Sequence, residues 1–506
     1  MEMKFETRGL FEKYTDKEQF DRIREYGSVT EMWDVCLAEF GDRIAVSDGG
    51  KEYTFAELEE DAGGFRTLLS SLPPHSRVGI YAPNCYDWIR AFVAVVTSGH
   101  VAAAIPPQLD APTVFGASMM CGLSALVYSP ALAEKLEIVK AKRPDLPLIP
   151  SDSASDEKTS AVKCAANDPC AIVFTGGTTG RSKGALLSHG AVMQGTVNGC
   201  YGYRDVFYQR YLLILPLTHV FGLIRNLMTS LYTGSTLFVC RNNKDMFRDI
   251  AAFRPTIMVM VPALAEMALT LSKKFGKNML GDDLKTIICG AAPVSPFLIG
   301  EYDRLGIKLL AGYGLTESAN LVSGNPESVS KPESVGIPFP HQEFRIAENG
   351  ELLLRGKNMM DGYVGVDEPD AYDGDWFRTG DLVRLDAEGY LYITGRIKEI
   401  IVLPSGENVS PAEVEAYFNE FDFIQDSQVF EDENELGARI LALEVVPRAT
   451  ELAGMEPEEK KKYVVSELEK KNATLPTHFR VSRITVRDSD FERTPAMKIV
   501  RYKKFK

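Results

Sequence analysis

A glycine- and hydroxyl-rich stretch at residues 175–184 carries the residue types that bind phosphate. The apolar run 171–174 predicts a buried strand, and the chain then reads Thr-Gly-Gly-Thr-Thr-Gly-Arg-Ser-Lys-Gly. Glycines let backbone N–H groups approach an anion closely, and successive N–H groups form an anion-binding nest. Threonine and serine hydroxyls add donors, and Lys183 adds a positive charge. The stretch is therefore interpreted as a phosphate-binding loop, with an exposed turn as the alternative.

The spacing of this loop excludes the Walker type of phosphate loop. A Walker loop needs a lysine directly after the last glycine and a serine or threonine directly after the lysine. Here Arg181 and Ser182 separate Gly180 from Lys183. We therefore expect a nucleotide-phosphate loop of another class.

Later stretches of the chain combine glycine with charged or aromatic residues. Tyr313 follows an apolar run and could stack on a base, and Glu317 could hold Mg²⁺ through oxygen. Asp381, in Trp-Phe-Arg-Thr-Gly-Asp-Leu, could accept both hydroxyls of a ribose. The charges around Lys398 suit a hinge, and Lys498 is a lone lysine near the C-terminus. Taken singly, each has an ordinary alternative, namely a turn, a helix cap, a polar linker or a solvated charge.

The elements that must position these residues form two alternating blocks followed by two smaller units. Strands are expected at 77–81, 101–105, 125–128, 211–215, 236–239, 257–261 and 286–289, with helices between them. This alternation predicts two parallel sheets covered by helices. After Gly336, turns at 348–350 and 386–389 predict antiparallel β structure. The last unit, from Arg396 onward, has the size of a small α+β domain, and Ser410 and Glu413 have the spacing of a helix capping box.

Composition narrows the class of protein. The 506 residues are 45% hydrophobic and 25% charged and carry a formal net charge of −14, which argues against a nucleic-acid binder. No apolar run reaches membrane-spanning length, and the longest, 91–107, is interpreted as a buried helix followed by a strand. The first residues lack the apolar core of a signal peptide. The eight cysteines contain no Cys-x-x-Cys pair, so free thiols and a cytoplasmic location are expected.

Taken together, the glycine-rich loop and the later stretches resemble the motifs of the adenylate-forming superfamily in order and in approximate separation. This superfamily includes acyl- and aryl-CoA synthetases, peptide-synthetase adenylation domains and firefly luciferase. The resemblance covers the chain from about residue 30 to the C-terminus. It implies an α/β fold: a large N-terminal domain of two αβ sheets plus a β-barrel, and a small mobile α+β C-terminal lid domain. The domains would span residues 1–395 and 396–506, with the hinge near Lys398.

The resemblance also implies a role for each motif residue. ATP, Mg²⁺ and coenzyme A would be the cofactors, and the β- and γ-phosphates of ATP would contact Thr175, Gly176, Gly177, Thr178, Thr179, Gly180 and Lys183. The adenine and acyl pocket would be lined by Gly290, Ala291, Ala292, Gly312, Tyr313 and Gly314. Thr316 would touch the α-phosphate, Glu317 would hold Mg²⁺, and Asp381 and Arg396 would bind the ribose. Lys498 would reach the substrate carboxylate and the bridging oxygen.

In the second half-reaction the resemblance implies that the lid rotates. Lys498 would leave the site, and the loop of Ser405, Gly406 and Glu407 would line a tunnel for pantetheine. The same tunnel would serve coenzyme A or the phosphopantetheine of a carrier protein. One departure from the family pattern is Met497, which stands where relatives usually carry glycine.

The substrate class is interpreted from the segment 215–225. His219 resembles a pocket-lining histidine of acyl-CoA synthetases, with a core histidine as the alternative. Amino-acid-activating relatives place an aspartate just after this segment, and here Phe221 and Leu223 suit an apolar tail instead. Arg225 is interpreted as a charge paired at the surface, with a contact to a second substrate carboxylate as the alternative.

The sequence therefore predicts an ATP-dependent carboxylic acid–CoA ligase that acts on a fatty or aromatic acid. Two alternatives remain open. An acyl-AMP ligase could load a carrier protein, or a non-catalytic homologue could bind acyl-adenylate or nucleotide as a sensor.

Overall fold

The structure is a computed structural model that describes residues 2–4, 8–175, 183–403, 407–434, 439–494, 497 and 499–501. Its first block is a seven-stranded sheet that is mainly parallel, as the alternating pattern predicts. In order across the sheet, the strands are Gly362–Val364, Gly184–Ser188, Pro169–Phe174, Val101–Ile105, Arg77–Tyr81, Ala125–Tyr128 and Leu148–Pro150. Pro169–Phe174 and Gly184–Ser188 are antiparallel to each other and flank the glycine-rich loop.

The second block is a nine-stranded sheet with parallel strands at its centre. Across the sheet the strands are Ile337–Pro338, Ser323–Gly324, Lys308–Tyr313, Thr286–Cys289, Ile257–Met260, Arg210–Leu213, Thr236–Val239, Ile44–Asp48 and Lys51–Thr54. The carboxyl ends of parallel strands meet at one edge of a sheet, where ligands commonly bind. Cys289 and Tyr313 both stand at such strand ends.

Helices pack against both sheets, and the last two helices of the chain belong to the C-terminal unit. They are Arg8–Glu12, Lys17–Asp21, Val29–Phe40, Phe55–Leu69, Tyr86–Thr97, Ala111–Met120, Glu137–Lys142, His189–Asn198, Thr229–Tyr232, Met246–Phe253, Pro262–Phe275, Pro296–Arg304, Pro411–Phe418 and Pro457–Thr474. Every residue of Tyr86–Thr97 except Asp87 is buried, and the strand Val101–Ile105 follows, which confirms the interpretation of the longest apolar run. Within the described residues, none of the helices combines the length and apolar character needed to cross a membrane.

A third, antiparallel sheet stands where the sequence predicts hairpins and the resemblance implies a barrel. Its strands are Glu2–Lys4, Gln342–Ile346, Glu351–Gly356, Trp376–Leu385 and Tyr372–Asp373, with Leu391–Arg396 also paired to Trp376–Leu385. Among the described strands the pairing is that of an open sheet, because no pair closes it into a ring. The pairing of Trp376–Leu385 with Leu391–Arg396 sets Asp381 opposite Arg396.

The C-terminal unit has its own three-stranded sheet and its own apolar core. The strands are Ile424–Glu433, Arg439–Pro447 and Arg483–Val486, and a short ribbon pairs Ile401–Val402 with Asn408–Val409. The helix Pro411–Phe418 begins after Ser410 as expected, but the predicted capping box is wrong. The Ser410 hydroxyl donates instead to the Thr394 carbonyl at 2.8 Å, because the missing side chain of Gly395 lets the two segments approach closely. Ser410 thereby ties the first helix of this unit to the strand that leads into it.

Candidate active site

Thr175 and Lys183 close the base of the glycine-rich loop. The Thr175 N–H donates to the Lys183 carbonyl at 2.8 Å, where the two antiparallel strands meet. The Lys183 ammonium pairs with Glu368 at 2.6 Å and lies 5.0 Å from the centre of the Tyr363 ring. The predicted loop residues Gly176, Gly177, Thr178, Thr179 and Gly180 lie outside the described residues. The structure therefore positions the two ends of the predicted phosphate site.

Tyr363, a residue that sequence reasoning missed, links Glu317 to this lysine. The Tyr363 hydroxyl donates to Glu317 Oε1 at 2.6 Å, so one tyrosine contacts both Lys183 and Glu317. Burial raises the pKa of Tyr363, and the charge of Glu317 raises it further, so the phenol remains a donor at neutral pH. The Glu317 carbonyl also accepts from the Met360 N–H at 2.8 Å. Tyr363 belongs to the short edge strand Gly362–Val364, whose sequence gives no sign of this role.

Tyr313, Asp381 and Arg396 form a second polar cluster, as the resemblance implies. Asp381 is 1% exposed, and its two oxygens accept from the Tyr313 hydroxyl at 2.5 Å and from Arg396 Nε at 2.6 Å. Burial and the neighbouring Asp381 hold the pKa of Tyr313 well above its ordinary value. Burial acts to lower the pKa of Arg396, but Asp381 outweighs it and the net shift is upward. The carboxylate expected to bind ribose is thus already bonded to two protein donors.

Backbone geometry explains the small residues at the two strand ends. A side chain at Gly314 would place its Cβ 1.1 Å from the Asn320 carbonyl oxygen, so only glycine fits there. At Gly290 a Cβ would lie 3.2 Å from the Gly312 carbonyl oxygen. Ala291 has a φ of +66°, a left-handed conformation that costs about 1 kcal/mol or more for a residue with a side chain. Gly290, Ala291 and Ala292 directly follow the strand Thr286–Cys289, which pairs with the strand Lys308–Tyr313. Gly314 directly follows that second strand.

His219 caps an unusual helix that the sequence did not predict. The segment Phe221–Met228 is a π-helix, and the Phe221 N–H donates to His219 Nδ1 at 3.2 Å. Because Nδ1 is an acceptor, Nε2 carries the proton of the neutral ring. The missing side chain of Gly222 lets this turn approach the preceding loop, since a Cβ would lie 2.3 Å from the Pro216 carbonyl oxygen. His219 is half-buried, and Phe221 comes to 3.6 Å from the position of a Cβ on Gly290.

The interpretation of Arg225 as a surface charge is wrong. Arg225 is 2% exposed, and neither of its terminal nitrogens has a hydrogen-bond partner among the described residues. Its guanidinium lies 5.3 Å from the centre of the Tyr203 ring. Burial acts to lower the pKa of Arg225, but the nearby phenols of Tyr203 and Tyr211 outweigh it and the net shift is upward. The π-helix carries this arginine inward, which the sequence alone could not reveal.

A tight turn in the C-terminal unit presents Met497 to the N-terminal domain. The turn is closed by a bridge between Arg493 and Ile499 and by a hydrogen bond from the Met497 N–H to the Thr494 carbonyl at 2.7 Å. Met497 has a φ of +62°, the conformation that favours glycine, and its side chain packs against the main apolar core of the N-terminal domain. The predicted catalytic residue Lys498 lies outside the described residues, between Met497 and Ile499.

A buried ion pair fastens the C-terminal unit to the N-terminal domain. Arg448, 1% exposed, donates from Nε to Glu266 Oε1 at 2.6 Å and from a terminal nitrogen to Oε2 at 3.1 Å. Its guanidinium also lies 3.9 Å from the centre of the Phe297 ring. A half-exposed pair, Lys273–Glu451 at 2.6 Å, lies between the same two units. We call the Arg448–Glu266 pair the latch.

The residues expected at the hinge and in the pantetheine tunnel are only partly described. Lys398 lies in the single turn Ile397–Glu399, and Glu399 pairs with Arg501 at 3.1 Å. Glu407 is exposed and lies 3.9 Å from His478. Ser405 and Gly406 lie outside the described residues, so their expected role in the tunnel stays a prediction.

Comparison with known proteins places this geometry in a family. The family description "AMP-binding enzyme" matches residues 33–364, and "AMP-binding enzyme C-terminal domain" matches residues 398–506. Feruloyl-CoA synthase of Amycolatopsis sp. is 30% identical over 407 residues, covering 76% of this chain and 81% of the relative. Indoleacetate–CoA ligase of Aromatoleum aromaticum is 31% identical over 455 residues, covering 81% and 88% respectively.

Solved structures share the whole architecture. The anthranilate CoA ligase AuaEII, in complex with anthranoyl-AMP, has a TM-score of 0.81 at 19% identity and covers 94% of this chain and 96% of its own. At that identity the likeness concerns the fold: a large N-terminal and a smaller C-terminal domain. The family match over residues 33–364 and the two relatives, which cover 76% and 81% of this chain, go further. They show that the chain belongs to the AMP-binding enzyme family.

Proposed function

We propose that this chain is an ATP-dependent carboxylic acid–CoA ligase. The observation that carries the proposal is a pair of polar clusters: Tyr363 contacts both Lys183 and Glu317, and Asp381 bonds both Tyr313 and Arg396. Tyr313 and Glu317 stand only four residues apart in the chain. Cations complement a triphosphate, and a carboxylate beside an arginine complements a ribose. Relatives named feruloyl-CoA synthase and indoleacetate–CoA ligase support the same activity.

In the first step, a carboxylate oxygen of the acid attacks the α-phosphorus of ATP. The bond from that phosphorus to the β-phosphate oxygen breaks, and acyl-adenylate and pyrophosphate form. No general base is needed, because a carboxylic acid is already ionised at neutral pH. Lys183 and, by resemblance, Lys498 stabilise the charge that develops on the departing pyrophosphate, which is an electrostatic form of catalysis.

The described residues fit a bound magnesium ion at Glu317. This carboxylate is held by Tyr363 next to Lys183, so an oxygen ligand stands beside the predicted phosphate site. When bound, the ion would neutralise phosphate charge. Thr316, buried beside Glu317, would contact the α-phosphate.

We expect ATP binding to rearrange the contacts of Asp381. Each of its oxygens accepts one protein hydrogen bond and can accept another, but the side chain is 1% exposed, so ribose hydroxyls reach it only if the Tyr313 hydroxyl or Arg396 moves aside. Tyr313 would then be released from this bond and could stack on adenine, while Arg396 could turn to the ribose.

In the second step, the thiol sulfur of coenzyme A attacks the acyl carbonyl carbon. The bond from that carbon to the phosphate oxygen breaks, and thioester and AMP form. Met497 packs against the apolar core of the N-terminal domain, and the proposal assigns this position of the C-terminal domain to the first step. Rotation about Lys398 would withdraw this turn and bring in the loop around Glu407.

The substrate is an acid with an apolar body, fatty or aromatic. Phe221 and Leu223 are buried on the π-helix next to the strand end at Gly290. The segment offers no carboxylate to receive an amino-acid ammonium. Magnesium, ATP and coenzyme A would act together in the cytoplasm, where the eight free thiols would stay reduced.

The experiment is acid-dependent ATP–pyrophosphate exchange with a panel of fatty, aryl, dicarboxylic and amino acids. Release of AMP is followed in parallel with and without coenzyme A. We expect exchange with one class of acid and AMP release only when coenzyme A is present. Exchange without turnover of coenzyme A would instead support a carrier-protein acceptor. Absence of exchange with every acid would contradict the proposal and favour a non-catalytic binder.

A further inference from the structure

Arg225 differs from the other deeply buried arginines of the described chain. Arg66 is 1% exposed, and it donates to Glu59, to the Thr97 hydroxyl at 2.8 Å and to the Thr159 carbonyl at 2.7 Å. Arg448 is held by the latch. Arg225 is buried to the same degree, yet its terminal nitrogens have no hydrogen-bond partner among the described residues.

A buried charge without a partner is costly, and proteins rarely retain one without a reason. The contact with the Tyr203 ring offsets part of that cost, because a cation over an aromatic face is stabilised. The Tyr211 hydroxyl also interacts with the guanidinium, but within hydrogen-bond geometry the two terminal nitrogens have no partner among the described residues. A guanidinium presents its donors as a planar fork that matches a carboxylate.

Arg225 lines a small cavity. The cavity has a volume of about 30 Å³ and is lined by Arg225 together with Asn198, Tyr201, Ile288, Gly312 and Ser323 among others. On this measure one water needs roughly 10–15 Å³, so the space holds about two water-sized groups. A carboxylate, with two oxygens, suits this volume, whereas a ring does not. Phe11 and Phe339, stacked with their ring centres 5.2 Å apart, also line the cavity.

This cavity adjoins the acyl side of the proposed active site. Gly312 lines the cavity and immediately precedes Tyr313 at the strand end. Phe221, four residues before Arg225 on the π-helix, lies against Gly290. An acyl chain that starts at the adenylate and follows Phe221 inward therefore runs toward Arg225.

We infer that Arg225 binds a second carboxylate at the far end of the acyl substrate, so that the preferred acid is a dicarboxylic acid with an apolar middle. The inference rests on the proposed ligase function and names the substrate class of that site. The second carboxylate would replace water at the fork with paired, charge-assisted hydrogen bonds. A monocarboxylic acid of the same length would press a methyl group against the unpaired charge and displace its water.

The test compares linear dicarboxylic acids from glutaric to sebacic with monocarboxylic acids of equal carbon number, in ATP–pyrophosphate exchange. We expect the wild type to favour one dicarboxylic acid over its matched monocarboxylic acid by roughly 10- to 100-fold in kcat/KM. Equal or better use of the monocarboxylic acids would overturn the inference and leave the ligase function standing. Exchange with neither series nor any other acid would contradict the ligase function itself.

Variants of Arg225 distinguish a role in substrate recognition from a role in protein stability. Arg225→Met should abolish the preference and raise KM for the dicarboxylic acid, while Arg225→Lys, which keeps the charge but loses the fork, should fall between. Removal of an unpaired charge should leave Tm unchanged or higher. The control Arg66→Met should lower Tm, because Glu59 would keep its hydrogen bond from Trp33 but lose its counter-charge.

A binding measurement adds a readout besides activity. Sebacic acid alone should raise the Tm of the wild type and leave that of Arg225→Met unchanged. The inference is overturned if Arg225→Met keeps the preference for the dicarboxylic acid, or if it lowers Tm as much as Arg66→Met does.

Discussion

Breaking the latch should slow adenylation selectively, and Glu266→Gln is the cleanest way to break it. The glutamate's hydrogen bonds described above all go to Arg448, whereas Arg448 also bonds the Asp422 carbonyl within its own domain. The amide keeps the size of the carboxylate, removes its charge and replaces one of its two acceptor oxygens by an NH2 donor. Arg448, 1% exposed, would then lie at the domain interface without a counter-charge.

The magnitude follows from the burial of the pair. Removing one partner of a buried ion pair typically costs about 3–5 kcal/mol, because the other charge stays desolvated. Only the docked position of the C-terminal domain is destabilised by this amount, because rotation of that domain would return Arg448 to water. A shift of about 3 kcal/mol changes the ratio of two conformations roughly 100-fold. The docked position, in which Met497 packs against the N-terminal domain, is the conformation whose population should fall.

The assay measures the two half-reactions separately. ATP–pyrophosphate exchange should fall by up to roughly 100-fold in Glu266→Gln, while thioester formation from supplied acyl-adenylate and coenzyme A should be retained. Glu451→Gln is the matched control, because its half-exposed pair with Lys273 is worth less than about 1 kcal/mol. Equal loss of both half-reactions, or unchanged exchange, would refute the reasoning.

The other predictions concern single residues. Lys498→Ala should reduce pyrophosphate exchange by at least about 100-fold and spare thioester formation from supplied acyl-adenylate, and unchanged exchange would remove its assigned role. Asp381→Ala should weaken ATP binding in calorimetry, and wild-type affinity would contradict the ribose assignment. Burial lowers the pKa of His189 to about 4, so the folded state resists a proton that the unfolded chain takes up below its ordinary value of 6.5. The free energy of unfolding should therefore fall by up to about 3 kcal/mol between pH 6.5 and 4 in denaturant titrations, and His189→Asn should flatten that slope. Gly314→Ala should abolish exchange or folding, since its Cβ would meet a backbone oxygen at 1.1 Å, whereas the control Gly300→Ala has open space around it and should raise Tm.

Much of the fold could be predicted from periodicity and turn residues. The central strands are short apolar runs between glycines and polar turns, and they pair in the two parallel blocks that this alternation predicts. The antiparallel unit was predicted from turns such as 348–350, but its open pairing was not, because closure depends on contacts between distant strands. The capping box at Ser410 failed for a similar reason: the hydroxyl bonds the distant Thr394 carbonyl instead.

Site residues that belong to sequence motifs were predicted, whereas residues whose role depends on three-dimensional contacts were missed. Tyr313, Asp381 and Arg396 meet as the resemblance implies, although Asp381 and Arg396 are neighbours only through strand register. Tyr363 has no motif, and its role depends on the pairing of an edge strand with Gly184–Ser188. Arg225 was misplaced because a charged side chain is ordinarily assigned to the surface, and no motif announces the π-helix on which it is buried.

The bonds that occupy Asp381 bear on how the enzyme tells ribonucleotides from deoxyribonucleotides. When an analogue lacks one hydroxyl and a buried acceptor is thereby left without a donor, a site rejects that analogue very strongly. Here the Tyr313 hydroxyl or Arg396 can return to whichever oxygen the sugar leaves unbonded. With dATP the site would therefore lose one hydrogen bond between Asp381 and the sugar, but neither oxygen of Asp381 would be left without a donor. We therefore expect only weak selectivity against deoxynucleotides. The Tyr313 hydroxyl and Arg396, on bonding Asp381 again, would also help to release AMP once the thioester has formed.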